Sequence, residues 1–139
     1  MKLKVGDSAA IEKRFTADEV ARFAALTGDV NPLHFEGQPA EESLFGRPVV
    51  HGVFVASLIS AALGNQLPGP GTIYLSQSLE FIAPVFFGDT ISARVEVTAL
   101  RQEKGIVTLA TTCVNQDGKA VLKGQAVVMN PALKTNESA

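Results

Sequence analysis

The middle of the chain is its most hydrophobic part, and its pattern predicts one buried helix. From Val53 to Leu63 every position is apolar except Ser57 and Ser60. A helix on a protein surface has an apolar stripe and a polar face, whereas this segment has no polar face. It is also too short for a bilayer span, which needs about 20 apolar residues. We therefore expect a helix that the rest of the chain encloses on all sides and that ends at Gly64.

The N-terminal part predicts a strand followed by a capped helix. Weak alternation of apolar and polar residues from Ala9 to Phe15 indicates the strand. Thr16 and Glu19 have the spacing of a capping box, which predicts a helix from Ala17 to Leu26. Gly28 suits the left-handed residue that ends a helix. The expected buried side of this helix consists of Val20, Phe23, Ala24 and Leu26 or Thr27.

From Thr72 onward the apolar period changes to two, which is typical of strands. The predicted strands are Thr72–Phe81, Ile91–Ala99, Ile106–Val114 and Lys119–Met129. Consecutive strands with short turns pair as an antiparallel sheet. Its apolar face needs a cover and the central helix needs an enclosure, so we predict an α+β hot-dog fold, an antiparallel sheet wrapped around a long central helix. A single wrapped layer leaves sheet edges open, and we therefore expect a homodimer.

Composition favours one globular domain over residues 1–139. The chain is 46% hydrophobic and 19% charged, and we expect a frayed tail at 131–139. A net charge of -2 without a basic run argues against nucleic acid as a partner. The single cysteine, Cys113, excludes an internal disulfide and is expected to be a small buried hydrophobe. The first residues lack the apolar core of a signal peptide and no membrane span is expected, so the predicted location is cytoplasmic.

Both histidines of the chain lie between Asp29 and Gly52. Asp29 and His34 stand five positions apart across a turn that contains a proline, and a carboxylate and an imidazole can share one water for acid–base chemistry. On spacing alone, the commoner interpretation is that Asp29 caps the turn and His34 is solvated. His51 and Gly52 open the central helix, where free N–H groups and the missing side chain of glycine permit an oxyanion hole. Tight packing explains Gly52 equally well.

Other kinds of site find less support in the sequence. A metal centre built from Asp29, His34 and His51 would need three ligands and an open position, but no HxxxH, HExxH or CxxC spacing is present, and we expect no metal. Ser57 and Ser60 are expected to bond back to carbonyls of their own helix. Neither lies in a Gly-x-Ser-x-Gly motif, which argues against a serine nucleophile.

Two segments resemble a known family. Residues 23–34, Phe-Ala-Ala-Leu-Thr-Gly-Asp-Val-Asn-Pro-Leu-His, resemble the hydratase motif of the MaoC-like (R)-specific enoyl-CoA hydratases. Residues 45–52, Phe-Gly-Arg-Pro-Val-Val-His-Gly, resemble the segment that follows it in that family. The chain looks most similar to the short stand-alone members that supply (R)-3-hydroxyacyl-CoA for polyhydroxyalkanoate synthesis.

The resemblance implies a hot-dog homodimer that hydrates trans-2-enoyl-CoA reversibly, with syn addition, to (3R)-hydroxyacyl-CoA and so links fatty-acid β-oxidation to polyhydroxyalkanoate precursors. It implies that Asp29 and His34 are the catalytic pair and that the N–H of Gly52 binds the thioester oxygen. Ser60 matches a serine near the pair in similar enzymes. Leu63 is expected to form a wall of the acyl tunnel. No cofactor or metal is needed, because the coenzyme A thioester substrate itself polarises the alkene.

Three alternatives stay open. The same chemistry in reverse would be a (3R)-hydroxyacyl dehydratase of fatty-acid synthesis, which differs in the acyl carrier. A hot-dog acyl-CoA thioesterase would cleave the thioester and does not require the Asp-x-Asn-Pro-x-His motif. A non-catalytic acyl-CoA binding subunit would not require Asp29 and His34, although this chain has both.

Overall fold

The computed structural model describes residues 2–138. Its helices and strands, in chain order, are β1 (Ser8–Arg14), α1 (Ala17–Thr27), α2 (Gln38–Glu41), α3 (Gly52–Asn65), β2 (Ile73–Gln77), β3 (Glu80–Phe81), β4 (Thr90–Arg101), β5 (Ile106–Val114) and β6 (Ala120–Met129). Short 3-10 turns occupy Pro32–His34, Gln102–Lys104 and Pro131–Ser138. No helix within 2–138 is long and apolar enough to cross a membrane.

All strands belong to one antiparallel sheet. The strand order is β1-β4-β5-β6-β2, and β3 pairs with β6 beyond the end of β2. Side chains on one face of β4 and β5, such as Val95, Val97, Val107 and Leu109, are completely buried. Helix α3 packs against β1, β4 and β5 on that face. The predicted α+β hot-dog fold is confirmed.

Helix α3 supplies much of the core but is not enclosed on all sides. Its buried residues are Val55, Leu58, Ile59, Ala62 and Leu63. Val53, however, is 63% exposed, and Ser57 and Ser60 are also exposed. These three residues stand four and three positions apart, the spacing of one helix face. The prediction of complete enclosure is therefore wrong for the single chain.

The end of α3 also differs from the prediction. The helix continues through Gly64 and Asn65, and its C-cap is Gln66. A glycine inside a helix lowers the stability of that helix, but Gly64 does not end α3. Leu63 and Leu67 both pack into the core, and this burial favours continuation of the helix past the glycine.

Helix α1 begins as predicted. The Thr16 side chain accepts a hydrogen bond from the Glu19 N–H, and the Glu19 side chain bonds back to the Thr16 N–H. The hydrogen bond from Lys13 lowers the pKa of Glu19. Gly28 ends the helix with a φ of 79°. The assignment of Leu26 or Thr27 to the buried side is wrong, since Leu26 is 87% exposed and Thr27 is exposed as well.

The second half of the chain contains two further differences. The single strand predicted for Thr72–Phe81 is split into β2 and β3, and its side chains remain largely exposed. Pro131–Ser138 form a 3-10 turn in which Leu133 is fully buried, so the start of the tail is not frayed, and Ala139 lies outside the described residues.

Cys113 is buried as predicted, and burial raises the pKa of its thiol to about 11.

Truncation of α3 in the core should destabilise the protein strongly. Ile59 is fully buried, and Ile59→Ala should lower the free energy of unfolding by about 2–5 kcal/mol. Leu26→Ala, at an exposed position of α1, should change it by less than about 0.5 kcal/mol. Urea unfolding followed by circular dichroism at one fixed protein concentration measures both. Equal effects of the two variants would contradict the assigned burial.

Candidate active site

The loop after α1 carries Asp29 and is shaped by short-range hydrogen bonds. The Thr27 hydroxyl donates to the Phe23 carbonyl (2.8 Å) and accepts from the Asp29 N–H (3.2 Å). The Asn31 side chain accepts from the Leu33 N–H (3.1 Å) and thereby caps the 3-10 turn that ends at His34. This turn brings His34 back toward Asp29, while Asp29 itself stays exposed.

The ring of His34 is fixed by the main chain. Its Nδ1 lies 2.7 Å from the carbonyl oxygen of Val49, and the Val49 N–H donates to the Leu33 carbonyl (3.0 Å). A carbonyl oxygen only accepts hydrogen bonds, so Nδ1 carries the hydrogen. The lone pair of His34 Nε2 is therefore left for a water or substrate, as expected for a residue that lines a pocket.

His51 lies against both residues of the proposed pair. Its ring stacks on His34 with centroids 3.6 Å apart, and its Nε2 lies 3.0 Å from the carbonyl oxygen of Asp29. The ring also contacts Phe23, with a centroid distance of 4.8 Å. Sequence reasoning assigned His51 no part in catalysis, because its contacts with residues 22 and 17 positions away depend on tertiary structure.

The structure brings Asp29, His34 and His51 together. One carboxylate oxygen and one nitrogen of each ring lie within 4.8 Å of one another. The two rings are nearly parallel, at 23°, so their in-plane lone pairs do not converge on one point. This arrangement suits proton transfer better than chelation of a metal.

A pocket of about 380 Å³ opens beside this cluster. It is bordered by His34, the start of α3 at Gly52 and Val53, and apolar residues that include Phe45 and Phe81. The N-cap residue of α3 makes no capping hydrogen bond with its side chain, so the first N–H groups of the helix remain available as donors. The pocket thus combines an apolar wall, an imidazole and a helix N-terminus.

Phe81 lies directly against Gly52. A Cβ at Gly52 would lie 2.6 Å from Cε1 of Phe81, which is too close for two carbons. The aromatic ring of Phe81 therefore covers the start of α3 directly. The sequence did not identify Phe81 or Phe45 as pocket residues, because an apolar side chain carries no chemical signal of its own and its place in a pocket depends on the tertiary structure.

The structure places Ser60 and Leu63 away from this pocket. Leu63 is 1% exposed and belongs to the core between α3 and the sheet. Ser60 is exposed and lines a second hollow of about 320 Å³ between α3 and β2, together with Val53 and Leu75. Ser60 follows Gly52 by eight positions, about 12 Å along the helix axis. Within one chain it does not reach the Asp29–His34 pair.

Comparison with known proteins identifies the family. A model described as "MaoC like domain" matches residues 5–118. The chain belongs to the MaoC-like family. An "(R)-specific enoyl-CoA hydratase" of Aeromonas caviae is 54% identical over 93% of this chain and 96% of its own length. A solved structure described as "(R)-hydratase from A. caviae involved in PHA biosynthesis" has a TM-score of 0.88, covering 93% of this chain and 98% of that one, at 54% identity.

The MaoC-like family also includes relatives with a different carrier in their names. A mitochondrial 3-hydroxyacyl-(acyl-carrier-protein) dehydratase of Solanum lycopersicum is 39% identical over 94% of this chain and 79% of its own length. The predicted resemblance to MaoC-like hydratases is therefore confirmed at the level of the family. Two acyl carriers occur among the names of its members.

Proposed function

We propose that this protein is an (R)-specific enoyl-CoA hydratase, which adds water reversibly to trans-2-enoyl-CoA and forms (3R)-hydroxyacyl-CoA. The observation that carries the proposal is the closeness of Asp29 and His34: a carboxylate oxygen of Asp29 and a ring nitrogen of His34 lie within 4.8 Å of each other. They lie beside an apolar pocket that reaches the N-terminus of α3. The 54% identity to a hydratase of that name over nearly the whole of both chains supports it.

The N–H of Gly52 is the proposed binding site of the thioester oxygen. Negative charge develops on that oxygen when an oxygen nucleophile adds to C3 of the enoyl group. A preorganised donor at the positive end of a helix stabilises this charge, and one such donor is typically worth about 3–4 kcal/mol of barrier. The apolar walls around it exclude water and strengthen the interaction.

Asp29 and His34 are the proposed acid–base pair. A water held between them loses one proton to the Asp29 carboxylate as its oxygen bonds to C3, while the free Nε2 of His34 orients it. The same pair then delivers a proton to C2 on the same face, so one water is consumed and the addition is syn. Acid–base assistance of this kind contributes about a hundredfold to ten-thousandfold. In this proposal the reaction needs no cofactor or metal, because the thioester already polarises the alkene.

The carrier could also be acyl-carrier protein, which would make the enzyme a (3R)-hydroxyacyl dehydratase. The relative from Solanum lycopersicum raises this alternative. We favour coenzyme A because the more similar relative, at 54% identity, has that carrier in its name. The proposed link to polyhydroxyalkanoate precursors is supported by the similarity to the A. caviae hydratase structure, which is described as involved in PHA biosynthesis. The cytoplasmic location stays a prediction.

Asp29→Asn should remove the proposed catalytic base while it keeps a side chain of nearly the same size and shape. With crotonyl-CoA we expect the wild type to lose the absorbance of the conjugated thioester, to release no free thiol and to give the (3R) product. The Asn variant should be slower by about 10²–10⁴-fold. Asp117→Asn, the same change in the exposed turn before β6, should keep full activity. Release of thiol would identify a thioesterase, and a faster reaction with acyl-carrier-protein substrates would favour the dehydratase.

Gly52→Ala should reduce activity because the added methyl group would occupy space that the ring of Phe81 now fills beside the proposed oxyanion donor. The new Cβ would displace the ring of Phe81, which is 55% exposed and can move, so the fold should survive. We expect kcat/KM to fall by roughly a hundredfold, as for a misplaced oxyanion donor. Gly64→Ala is the matched control, because a Cβ there meets nothing within 4 Å. Full activity of Gly52→Ala would contradict the oxyanion role.

The active form is proposed to be a homodimer that pairs along the β2 edge. Ile73, Tyr74 and Leu75 of β2 are about half exposed. β2 ends the strand order of the described residues, and an exposed apolar edge strand is a typical pairing surface. The exposed face of α3 with Ser60 adjoins this edge. We further propose that in this dimer Ser60 of one chain lies near the Asp29–His34 pair of the other, which would reconcile the role implied by the resemblance with its place outside the pocket of its own chain.

Leu75→Lys should therefore disrupt the dimer. We expect sedimentation velocity to show a dimer for the wild type and a monomer for Leu75→Lys, with hydratase activity lost along with the dimer. Leu26→Lys, at an exposed position of α1, should remain dimeric. A monomeric wild type with full hydratase activity would contradict this assembly.

A further inference from the structure

His51 is a buried polar residue that the proposed mechanism does not use. It is only 2% exposed. It occupies the N-cap position of α3, where side chains usually accept hydrogen bonds from the helix, but its side chain makes no such bond. The ring instead turns toward the loop that carries Asp29. A buried imidazole that does not cap its own helix requires another explanation.

The first part of that explanation is the hydrogen bond to Asp29. The carbonyl oxygen of Asp29 can only accept, so Nε2 of His51 donates across 3.0 Å. The other hydrogen bonds of Asp29 within residues 2–138 go to Thr27 and Asn31, each two positions away. The bond from His51 is therefore the one hydrogen bond in this described part of the chain that connects Asp29 to the core.

The second part is the contact with His34. The ring of His51 lies 3.6 Å from that of His34 and supports one of its faces, while Phe23 contacts His51 as well. Nδ1 of His51 is buried and has no hydrogen-bond partner among the described residues. No second hydrogen bond therefore competes with the one to Asp29, and the ring is oriented by that bond and by its aromatic neighbours.

We infer that His51 is a positioning residue: its Nε2–H anchors the main chain of Asp29 while its ring supports His34, which keeps the acid–base pair at its working separation beside the N–H of Gly52. This role rests on the proposed hydratase function, because it acts through the same pair. His51 touches neither water nor substrate in this scheme. Its contribution is the geometry of the two residues that do.

Because Nδ1 of His51 has no hydrogen-bond partner among the described residues, substitutions can separate the hydrogen bond to Asp29 from the ring contact with His34. His51→Phe keeps a flat ring against His34 and removes only the bond to Asp29. His51→Gln keeps a donor at the place of Nε2 and removes the ring, whereas the shorter His51→Asn reaches only to the place of Nδ1. With crotonyl-CoA we expect kcat to fall roughly a hundredfold in His51→Phe and in His51→Asn, with KM changed by less than about threefold. His51→Gln should recover part of the loss.

A double-mutant cycle with Asp29→Asn distinguishes positioning from general destabilisation. If His51 acts through the carboxylate of Asp29, His51→Phe should slow the Asp29→Asn enzyme by no more than about twofold, since no base remains to be placed. If His51→Phe instead damaged the fold in general, the loss of rate in the double variant would be the product of the losses in the two single variants. Thermal unfolding of each variant provides the control, and the Gln and Asn variants apply the same test if the Phe variant does not fold.

A second readout does not depend on catalysis. Backbone ¹⁵N relaxation should show lower order parameters at Asp29 and Val30 in His51→Phe and His51→Asn than in the wild type and His51→Gln. Unchanged order parameters, a wild-type kcat in His51→Phe, or losses that multiply on Asp29→Asn would each overturn the inference. An inactive wild type would instead refute the hydratase proposal, and the relaxation data would still decide whether His51 anchors the loop.

Discussion

Burial of α3 against the sheet is the interaction on which the rest of this structure depends. Residues such as Ile59 and Leu63 pack on the inner face of β4 and β5, and each fully buried aliphatic side chain contributes about 1.5–3 kcal/mol. This packing fixes the rotation of the helix about its axis as well as its position. Because the helix begins at Gly52, the same packing places its free N–H groups at the mouth of the pocket and turns His51 inward.

The candidate site combines this rigid helix with a loop that has little support of its own. The loop after α1 is shaped by hydrogen bonds over two to four residues, and Asp29 is exposed. His34 is attached to Val49 and stacked on His51, so two separate parts of the chain hold one imidazole. Acid–base groups need placement to within fractions of an ångström, which a free loop does not provide.

The exposed face of α3 is the part of the helix that the proposed homodimer would cover. Val53, Ser57 and Ser60 line the second hollow beside β2, whose apolar residues are also exposed. A helix with almost no polar residue is unusual where one of its faces meets water. Pairing of two chains would cover this face and the edge strand together, and it would account for a helix that carries only two serines between Val53 and Leu63.

Local signals in the sequence were sufficient for much of the architecture. The capping box at Thr16 and Glu19 and the two-residue period of β4 to β6 each depend on neighbours in sequence, so their positions could be predicted closely. The end of α3 and the buried Leu133 could not be, because packing against residues distant in sequence outweighs a local glycine. The alternation from Thr72 to Phe81 did not reveal the break between β2 and β3.

The features of the candidate site likewise divide into those that the sequence indicates and those that depend on the tertiary structure. The sequence by itself determined the fold class, because hydrophobic periodicity is visible in one dimension. The candidate pair Asp29 and His34 and the oxyanion role of Gly52 came from the resemblance to the MaoC-like hydratases, since spacing alone favoured a solvated His34 and left tight packing at Gly52 equally open. Only the tertiary structure decided that His51 stacks on His34 and bonds to the carbonyl of Asp29, that Phe81 covers Gly52, and that Ser60 faces a different hollow. These contacts join residues far apart in the chain, and they depend on how the loop after α1 and the strands β2 and β3 pack against α3.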